Sequence, residues 1–479
     1  MTRTRTLALL TAGLSCAAPL AVAPSTAAAA PPAVRLVPVL TVDTVGAEIV
    51  AFDSATKRTF VTQADPATLR VYDARGRLVR AMPFAAYGSE LTSVDARDGV
   101  VVAVVKAAVA GQPGTLVVLD ARTLAVLRSA TVGAGPDAVT ITPDGRRAVV
   151  ADEGEPVGGY CAGGVDPEGS VSVVDLATGT SRQARFGGVP LPAGVRVYGP
   201  GATPAQDLEP EYVSVSPDSR TAVVTLQENN ALALVDLATA RVTGVVAAGY
   251  QDHSRVALDP SDRDGTAGAL ATYPGLRGMR QPDQVAAFSA GGQLYAVEAG
   301  EGDAREYDCF DEQTRVGGTG PLARLRTTTA PPTAGATYAY GSRSFAIRDS
   351  RGRVVFDSGD QLERLTLAEF PELFNASEGS APDSRSDDKG PEPEGLTVGQ
   401  AYGRTYAFIG LERGPGAVVV ADVTEPRATT VVDLARVEGD VAPEGLEFVP
   451  AAASPTGVPL VIVANEVSGT TTAYELRRG

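Results

Sequence analysis

Tryptophan is absent from this 479-residue chain, histidine occurs once, at His253, and cysteine and methionine occur three times each. Lysine is confined to Lys57, Lys106 and Lys389. Each shortage removes a class of chemistry. A single histidine cannot build a two-histidine zinc hydrolase centre. A Ser-His-Asp triad would have to use His253, and no G-x-S-x-G turn presents a serine to it. There is no G-x-x-x-x-G-K-[ST] loop to cradle nucleotide phosphates. Beyond the first thirty-odd residues no apolar run approaches the roughly 20 residues needed to cross a bilayer. The final "AYELRRG" carries no sorting tail, so no transmembrane segment is expected.

The chain opens on "MTRTRTLALLTAGLSCAAPLAVAPSTAAAAPPA", two arginines followed by an apolar core and small-residue cleavage sites. That pattern is an export signal over residues 1–30. Lipidation at Cys16 is not expected, because Gly13 stands where a leucine is wanted. Its removal leaves Cys161 and Cys309. In an oxidising compartment such a pair reads as a disulfide, with two free thiols as the alternative. Two cysteines and one histidine cannot close a structural zinc site.

The formal charge is -16, from 57 acidic and 41 basic residues. That argues against nucleic acid or an anionic membrane as partner and fits cations or cationic surfaces. It also keeps an exported protein soluble, without any further role.

What the chain has in quantity is a repeat. "GPDAVTITPDGRRAVVADEG…GSVSVVDLATG" from Gly135 and "EPEYVSVSPDSRTAVVTLQENNALALVDLATA" from Glu209 match part for part. Each runs from an acidic start through an alternating strand, a Pro-Asp turn, an apolar strand, a polar loop and a third strand ending in Asp. Weaker copies begin at Ala47, Glu90, Gln281, Pro393 and Pro443, which makes seven. Units of roughly 40 to 50 residues with three to four strands indicate an all-β chain folded as a β-propeller. A single propeller domain is expected over residues 34–479. Residues 320–390, with the hairpin pattern "GSRSFAIRDSRGRVVFDSGD" from Gly341, are read as an inserted hairpin or loop in a seven-bladed ring, with an eighth blade as the alternative. One short helix is expected, in "DQLERLTLAEFPELFN" from Asp360.

In a propeller the start of strand one, the end of strand two and the inter-blade loop share one face, because successive strands alternate in direction. Strand-one starts carry Glu90, Asp137, Glu209, Glu211, Asp283, Glu392, Glu394 and Glu444. Strand-two ends carry Asp152, Glu153, Glu155, Glu228, Glu298, Glu301, Glu412 and Glu466. Two unit charges about 4 Å apart repel by roughly 4 kcal/mol at an effective dielectric of 20, so such crowding needs a bound cation, arginines or bound protons. Carboxylate oxygens suit a hard cation, and Ca²⁺ accepts irregular oxygen shells. The ligand candidates are Glu209, Glu211, Glu392, Glu394, Glu444, Asp137 and Asp283. The bland alternative is that each acid caps a turn or pairs with an arginine. The loop from Tyr250 adds His253, Asp252, Asp259, Asp262 and Asp264, with Asp262, Asp264 and Gly265 resembling part of a calcium loop; Pro260 stands at its first ligand position and no acid closes it. An enzyme working there on an anionic substrate would also need cations, and Arg280, Arg305, Arg413 and Lys389 are the candidates, with His253 beside them.

The stretches "PDAVTITPDGRRAVVADEGEP", "DPEGSVSVVDL", "DHSRVALDPSDRDG", "QPDQVAAF", "EAGEGDAREYD", "FDSGDQLE" and "SDDKGPEPEGL" together resemble the choice-of-anchor I family of secreted bacterial propellers, over about Gly46 to Leu476. The resemblance implies an extracellular protein and brings with it a label of alkaline phosphatase or esterase-like phytase, without an agreed catalytic set. Two functions are therefore expected to compete. One is a secreted Ca²⁺-dependent phosphoester hydrolase acting on a small anionic substrate at the acidic mouth. The other is a non-catalytic binding or adhesion propeller, with structural calcium and a cell-surface ligand. A monomer is expected. Several arginines facing the mouth would favour the hydrolase; their absence would favour the platform.

Overall fold

The strand-turn-strand units close through their Pro-Asp turns. In "ITPDGRRAVV" the Thr142 hydroxyl donates to Asp144 at 2.6 Å while accepting the Arg147 N–H at 3.1 Å. In "VSPDSRTAVV" Ser216 and Asp218 repeat the arrangement, at 2.6 Å, and Ser216 accepts the Thr221 N–H at 3.0 Å. The computed structural model describes residues 34–479, so the export signal lies outside the described residues.

Within them are seven four-stranded antiparallel sheets, each pairing its strands in order from the inside outwards. Their innermost strands are Val50–Asp53, Glu90–Arg97, Pro136–Ile141, Val213–Val215, Val285–Ala290, Pro393–Ala401 and Pro443–Val449, one in each repeat unit. These are blades one to seven of a propeller. Blade seven takes its outermost strand, Val34–Asp43, from the start of the described chain: Val34 pairs with Arg478 and Asp43 with Thr470. This pairing closes the ring.

The hairpin near Gly341 is neither an insertion nor an eighth blade. Its strands, Ser344–Asp349 and Val354–Asp357, are the outer half of blade five, against Gln293–Gly300. The insertion is instead residues 301–343, between strands two and three of that blade. The expected helix forms at Gln361–Glu369 and stops before Pro371, whose ring pushes the preceding residue out of helical geometry.

The second strand of each blade is buried over most of its length because both of its faces are covered. Leu460–Asn465 is buried throughout. Its Leu460, Ile462 and Ala464 pack towards blade one, and Val461 and Val463 towards blade six. Val102 and Val104 likewise face blade three while Val101, Ala103 and Val105 face blade one. The core is thus a circle of inter-blade clusters, and each fully buried aliphatic side chain contributes about 1.5–3 kcal/mol.

Cys161 and Cys309 are disulfide-bonded across a sequence separation of 148. The bond ties the loop after blade three's second strand to the blade-five insertion, over the same face. In the chain-entropy model a loop of that length is worth roughly 5 kcal/mol. Cys161→Ser is expected to lower the unfolding free energy obtained from guanidinium titration by an amount approaching that figure, with a lower midpoint, and dithiothreitol to lower the wild type equally. A midpoint unmoved by either would show that the bond carries no stability.

Candidate metal centre at the channel mouth

Each inner strand begins with a carboxylate two residues before an aliphatic or equivalent inward position: Glu48, Glu90, Asp137, Glu211, Asp283, Glu394 and Glu444. Five of these, all but Glu48 and Glu90, follow a proline. In three of the five the residue before the proline is a non-glycine held at positive φ: Gln281 (37°), Glu392 (46°) and Ala442 (60°); Gly135 fills the place in blade three. Its carbonyl accepts an N–H from the end of strand two. Glu153 donates to Gly135 at 2.8 Å, Glu412 to Glu392 at 2.9 Å and Glu466 to Ala442 at 2.8 Å. This clasp sets Glu153, Glu412 and Glu466 in a second circle outside the first, which Glu228 and Glu301 join from the ends of their own second strands. In blade two Lys106 ends the second strand and lies 3.8 Å from Glu153 and 3.9 Å from Glu155.

Six of the seven inner carboxylates line one cavity of about 280 Å³ at the channel mouth, together with Glu466, Tyr212 and Gln284. No arginine or lysine lines it. Asp283, Glu301 and Glu394 each bring an oxygen to within 4.8 Å of the other two, and Glu301, Glu392 and Glu412 form a second such trio. One oxygen each of Glu211, Glu394 and Glu444 is buried without a hydrogen-bond partner.

The electrostatic consequence is a rise in pKa for six of the seven inner acids. Burial, followed by repulsion from neighbouring carboxylates, pushes Asp283, Glu211, Glu394 and Glu444 well above the ordinary carboxylate range. Asp137 rises to about 6 and Glu48 to about 7, again mainly through desolvation. In the outer circle Glu228 reaches about 7 and Glu412 about 8. On the opposite face the same residue type behaves in the opposite way. Asp120, Asp175 and Asp236, at the ends of third strands, accept the N–H groups of Thr123, Thr178 and Thr239 at 2.6, 2.8 and 2.7 Å. These bonds lower their pKa values.

The expected site residues divide accordingly. Asp137, Glu211, Asp283, Glu394 and Glu444 belong to the inner ring. Glu392 sits just outside it and is held by Arg385 at 2.6 Å, Lys389 at 3.3 Å and Arg413 at 3.7 Å, which lowers its pKa against the cost of burial. Glu209 is buried against Arg305 at 2.9 Å, and Arg305 also pairs with Asp207. Neither Glu209 nor Arg305 reaches the mouth cavity. Arg280 is paired with Asp357 at 2.6 Å. Lys389 binds Glu301 at 2.6 Å. Arg413 also pairs with Glu412 at 2.6 Å. His253 is 2% exposed, with Nδ1 3.1 Å from the Val256 carbonyl. Burial lowers its pKa to about 4, so the neutral ring donates Nδ1–H to that carbonyl, away from the mouth. Asp262 is bound by Arg324 at 2.8 and 3.1 Å, which removes it from any calcium loop. Asp152 is satisfied by Ser170, Ser172 and the Gly133 N–H, and Glu298 by Arg348. Glu48 was not expected in the ring: its blade begins with Gly-Ala, and the only signal was an acid two residues before Val50.

Among the described residues no helix is long and apolar enough to cross a membrane. By sequence the chain is similar to Gigasin-3a of Magallana gigas, 30% identical over 164 residues, which is 29% of this chain and 57% of that protein. It is also similar to the mesenchyme-specific cell surface glycoprotein of Strongylocentrotus purpuratus, 34% identical over 90 residues, covering 17% of this chain and 11% of that protein. The chain therefore spans little more than half of the first relative and a small part of the second. In structure it resembles the hydrazine synthase of Kuenenia stuttgartiensis, with a TM-score of 0.51 and 14% identity over 91% of this chain and 97% of that one, a likeness of fold alone. The sequence profile of the choice-of-anchor I domain matches residues 48–335 and 321–426, most of the ring that carries the acidic mouth, and the chain belongs to that family.

Proposed function

We propose that this is an exported propeller whose acidic channel mouth binds a hard divalent cation, Ca²⁺ by preference, and serves as a cation-dependent binding platform. The observation that carries the reading is the convergence of Asp283, Glu301 and Glu394 oxygens, of which Asp283 and Glu394 face a cavity lined by carboxylates and by no cationic side chain. Unshared carboxylate oxygens fit a 6- to 8-coordinate oxygen shell, and Glu211 and Glu444 supply further unpartnered atoms beside the trio. Lys389 and Gln227 already contact Glu301, so Asp283 and Glu394 would bear most of the ion's charge. When bound, the ion supplies a positive centre for an anionic group of a cell-surface ligand. The leader-like start and the disulfide support an extracellular setting.

A phosphoester hydrolase at this mouth would need cationic groups facing the substrate. The candidates Arg280 and Arg305 are buried in ion pairs, and Lys389 and Arg413 are engaged by Glu301, Glu392 and Glu412. The platform is therefore the favoured reading.

Two outcomes follow. A folded-state pKa above the unfolded one means that the folded chain holds its protons more tightly. The stability this contributes is present in acid and is lost as pH rises from about 4 through about 8, the window given by Asp137, Glu228 and Glu412. EDTA-treated protein should therefore melt at progressively lower temperature between about pH 5 and about pH 8, and saturating CaCl₂ should flatten the decline. A melting temperature in EDTA that climbs over this range would contradict the crowded-carboxylate account.

Glu394→Gln keeps the shape of the side chain and removes one ligand charge. In calorimetry it should weaken Ca²⁺ binding at the mouth about tenfold or more while raising the melting temperature in EDTA. Neither protein should turn over p-nitrophenyl phosphate with Ca²⁺. Turnover abolished by both EDTA and Glu394→Gln would replace the platform with the hydrolase.

A further inference from the structure

The insertion of blade five and the loop 385–389 before blade six enclose a second cavity, of about 250 Å³. The insertion contributes Asp303, Glu306 and Arg326 to its wall, and the loop contributes Arg385, Asp388 and Lys389. Cationic and acidic side chains are thus balanced here, unlike at the mouth, where no arginine or lysine faces the cavity. Lys389 joins the two regions. Its ammonium lies 2.6 Å from Glu301, whose oxygen converges with those of Asp283 and Glu394.

The charges along this wall are aligned without being closed on one another. Glu392 grips Arg385 through Nε at 2.7 Å and Nη2 at 2.6 Å, which fixes the guanidinium and leaves Nη1 3.0 Å from Asp388. Arg326 stands 3.6 Å from Glu306 and 3.6 Å from Asp388, and Lys389 stands 3.6 Å from Asp303. Charged pairs at that separation are not hydrogen-bonded, so both partners keep bonding capacity for a third molecule.

The mixture of signs selects the occupant. A simple cation would meet three basic side chains, and a simple anion three carboxylates. A molecule with one carboxylate and several hydroxyls answers both. Its planar carboxylate matches the guanidinium edges of Arg326 and Arg385. Its hydroxyls donate to Asp303, Glu306 and Asp388 and accept from Lys389 and from the Gln313 amide nitrogen, the Gln313 oxygen being taken by Arg326. Tyr340 also lines the cavity, with its hydroxyl spent on the Glu312 carbonyl at 3.3 Å. An ion at Asp283, Glu301 and Glu394 adds positive charge next to Lys389, which favours an acidic occupant over a neutral or zwitterionic one.

We propose that this cavity binds a uronic acid residue of an acidic glycan, with Arg326, Arg385 and Lys389 facing the carboxylate and Asp303, Glu306 and Asp388 the hydroxyls. The proposal deepens the cation-platform reading and rests on it for the neighbouring ion, which strengthens binding of the same glycan.

The test is calorimetric titration of the mature protein with tri-galacturonate, and with galactotriose as the neutral control, in EDTA and in CaCl₂. Tri-galacturonate should bind in both buffers, more tightly in CaCl₂, and galactotriose in neither. Arg326→Gln should weaken tri-galacturonate about tenfold or more in both buffers. Glu306→Gln, whose side chain is 55% exposed and is not needed for the core, should weaken it as well. Wild type that binds no tri-galacturonate in either buffer, or both variants binding it as tightly as wild type, would overturn the proposal. Galactotriose binding as tightly, or glycine or inorganic sulfate displacing tri-galacturonate at equal concentration, would overturn the assignment to an acidic sugar. Equal affinity in EDTA and CaCl₂, with Arg326→Gln still weaker, would instead overturn the ion at the mouth and leave the sugar site standing.

Discussion

Closing seven sheets into a ring forces the beginnings of seven inner strands to converge, and in this chain every one of those beginnings carries a carboxylate. Convergence turns a feature that is harmless in a single strand into mutual repulsion. Like charges about 4 Å apart cost roughly 4 kcal/mol at an effective dielectric of 20, against the roughly 5–15 kcal/mol of net stability of a domain. The ring is nonetheless closed by a strong device, the pairing of Val34–Asp43 with Thr470–Arg478, and filled by apolar clusters between all neighbouring blades. The scaffold therefore holds the acids together against their repulsion, and that stored unfavourable energy is what a divalent ion at the mouth would relieve.

The two faces show that position, not residue type, decides what an acid does. At third-strand ends, aspartates stand free of one another and each meets threonine N–H and hydroxyl groups, so their pKa values fall. At the mouth, Asp283 and Asp137 meet other carboxylates and little water, and theirs rise. Buried arginines mark a third situation. Arg305 lies between Asp207 and Glu209, and Arg348 pairs with Glu298, so each of these acids has a guanidinium against it. The inner ring has more carboxylate than countercharge, since no arginine or lysine lines its cavity.

The periodic part of this architecture was legible in the sequence: seven units, their order, the face carrying the acids, the helix after Asp360 and the pairing of Cys161 with Cys309. Repetition made it so, since each unit repeats the alternation of its neighbours. What repetition does not encode was missed. The closing strand at Val34 has its partner more than four hundred residues away. The hairpin at Gly341 looked like an insertion because residues 301–343 separate it from the rest of its blade. Arg280 and Arg305 were read as free cations, since nothing local announces that Asp357, Asp207 and Glu209 neutralise them.

The channel wall below the mouth explains why the ring acids are available for a ligand. An innermost strand has an unpaired edge, and its N–H and C=O groups need partners. Side chains from the adjacent blade supply them. Asp95 accepts the Ile141 N–H at 2.6 Å, Ser93 that of Val139 at 3.2 Å, Ser214 that of Ala287 at 2.9 Å and Gln284 that of Leu396 at 2.8 Å. Thr140 donates to the Val213 carbonyl at 3.0 Å. The polar residues lining the channel at these positions are thus stitches between blades, spent on the backbone. Glu394 and Glu444 lie above the last of these stitches, each with an oxygen that no backbone group reaches. The fold needs polar side chains along its inner strands, and at the mouth this sequence supplies more carboxylate oxygen than the backbone can use.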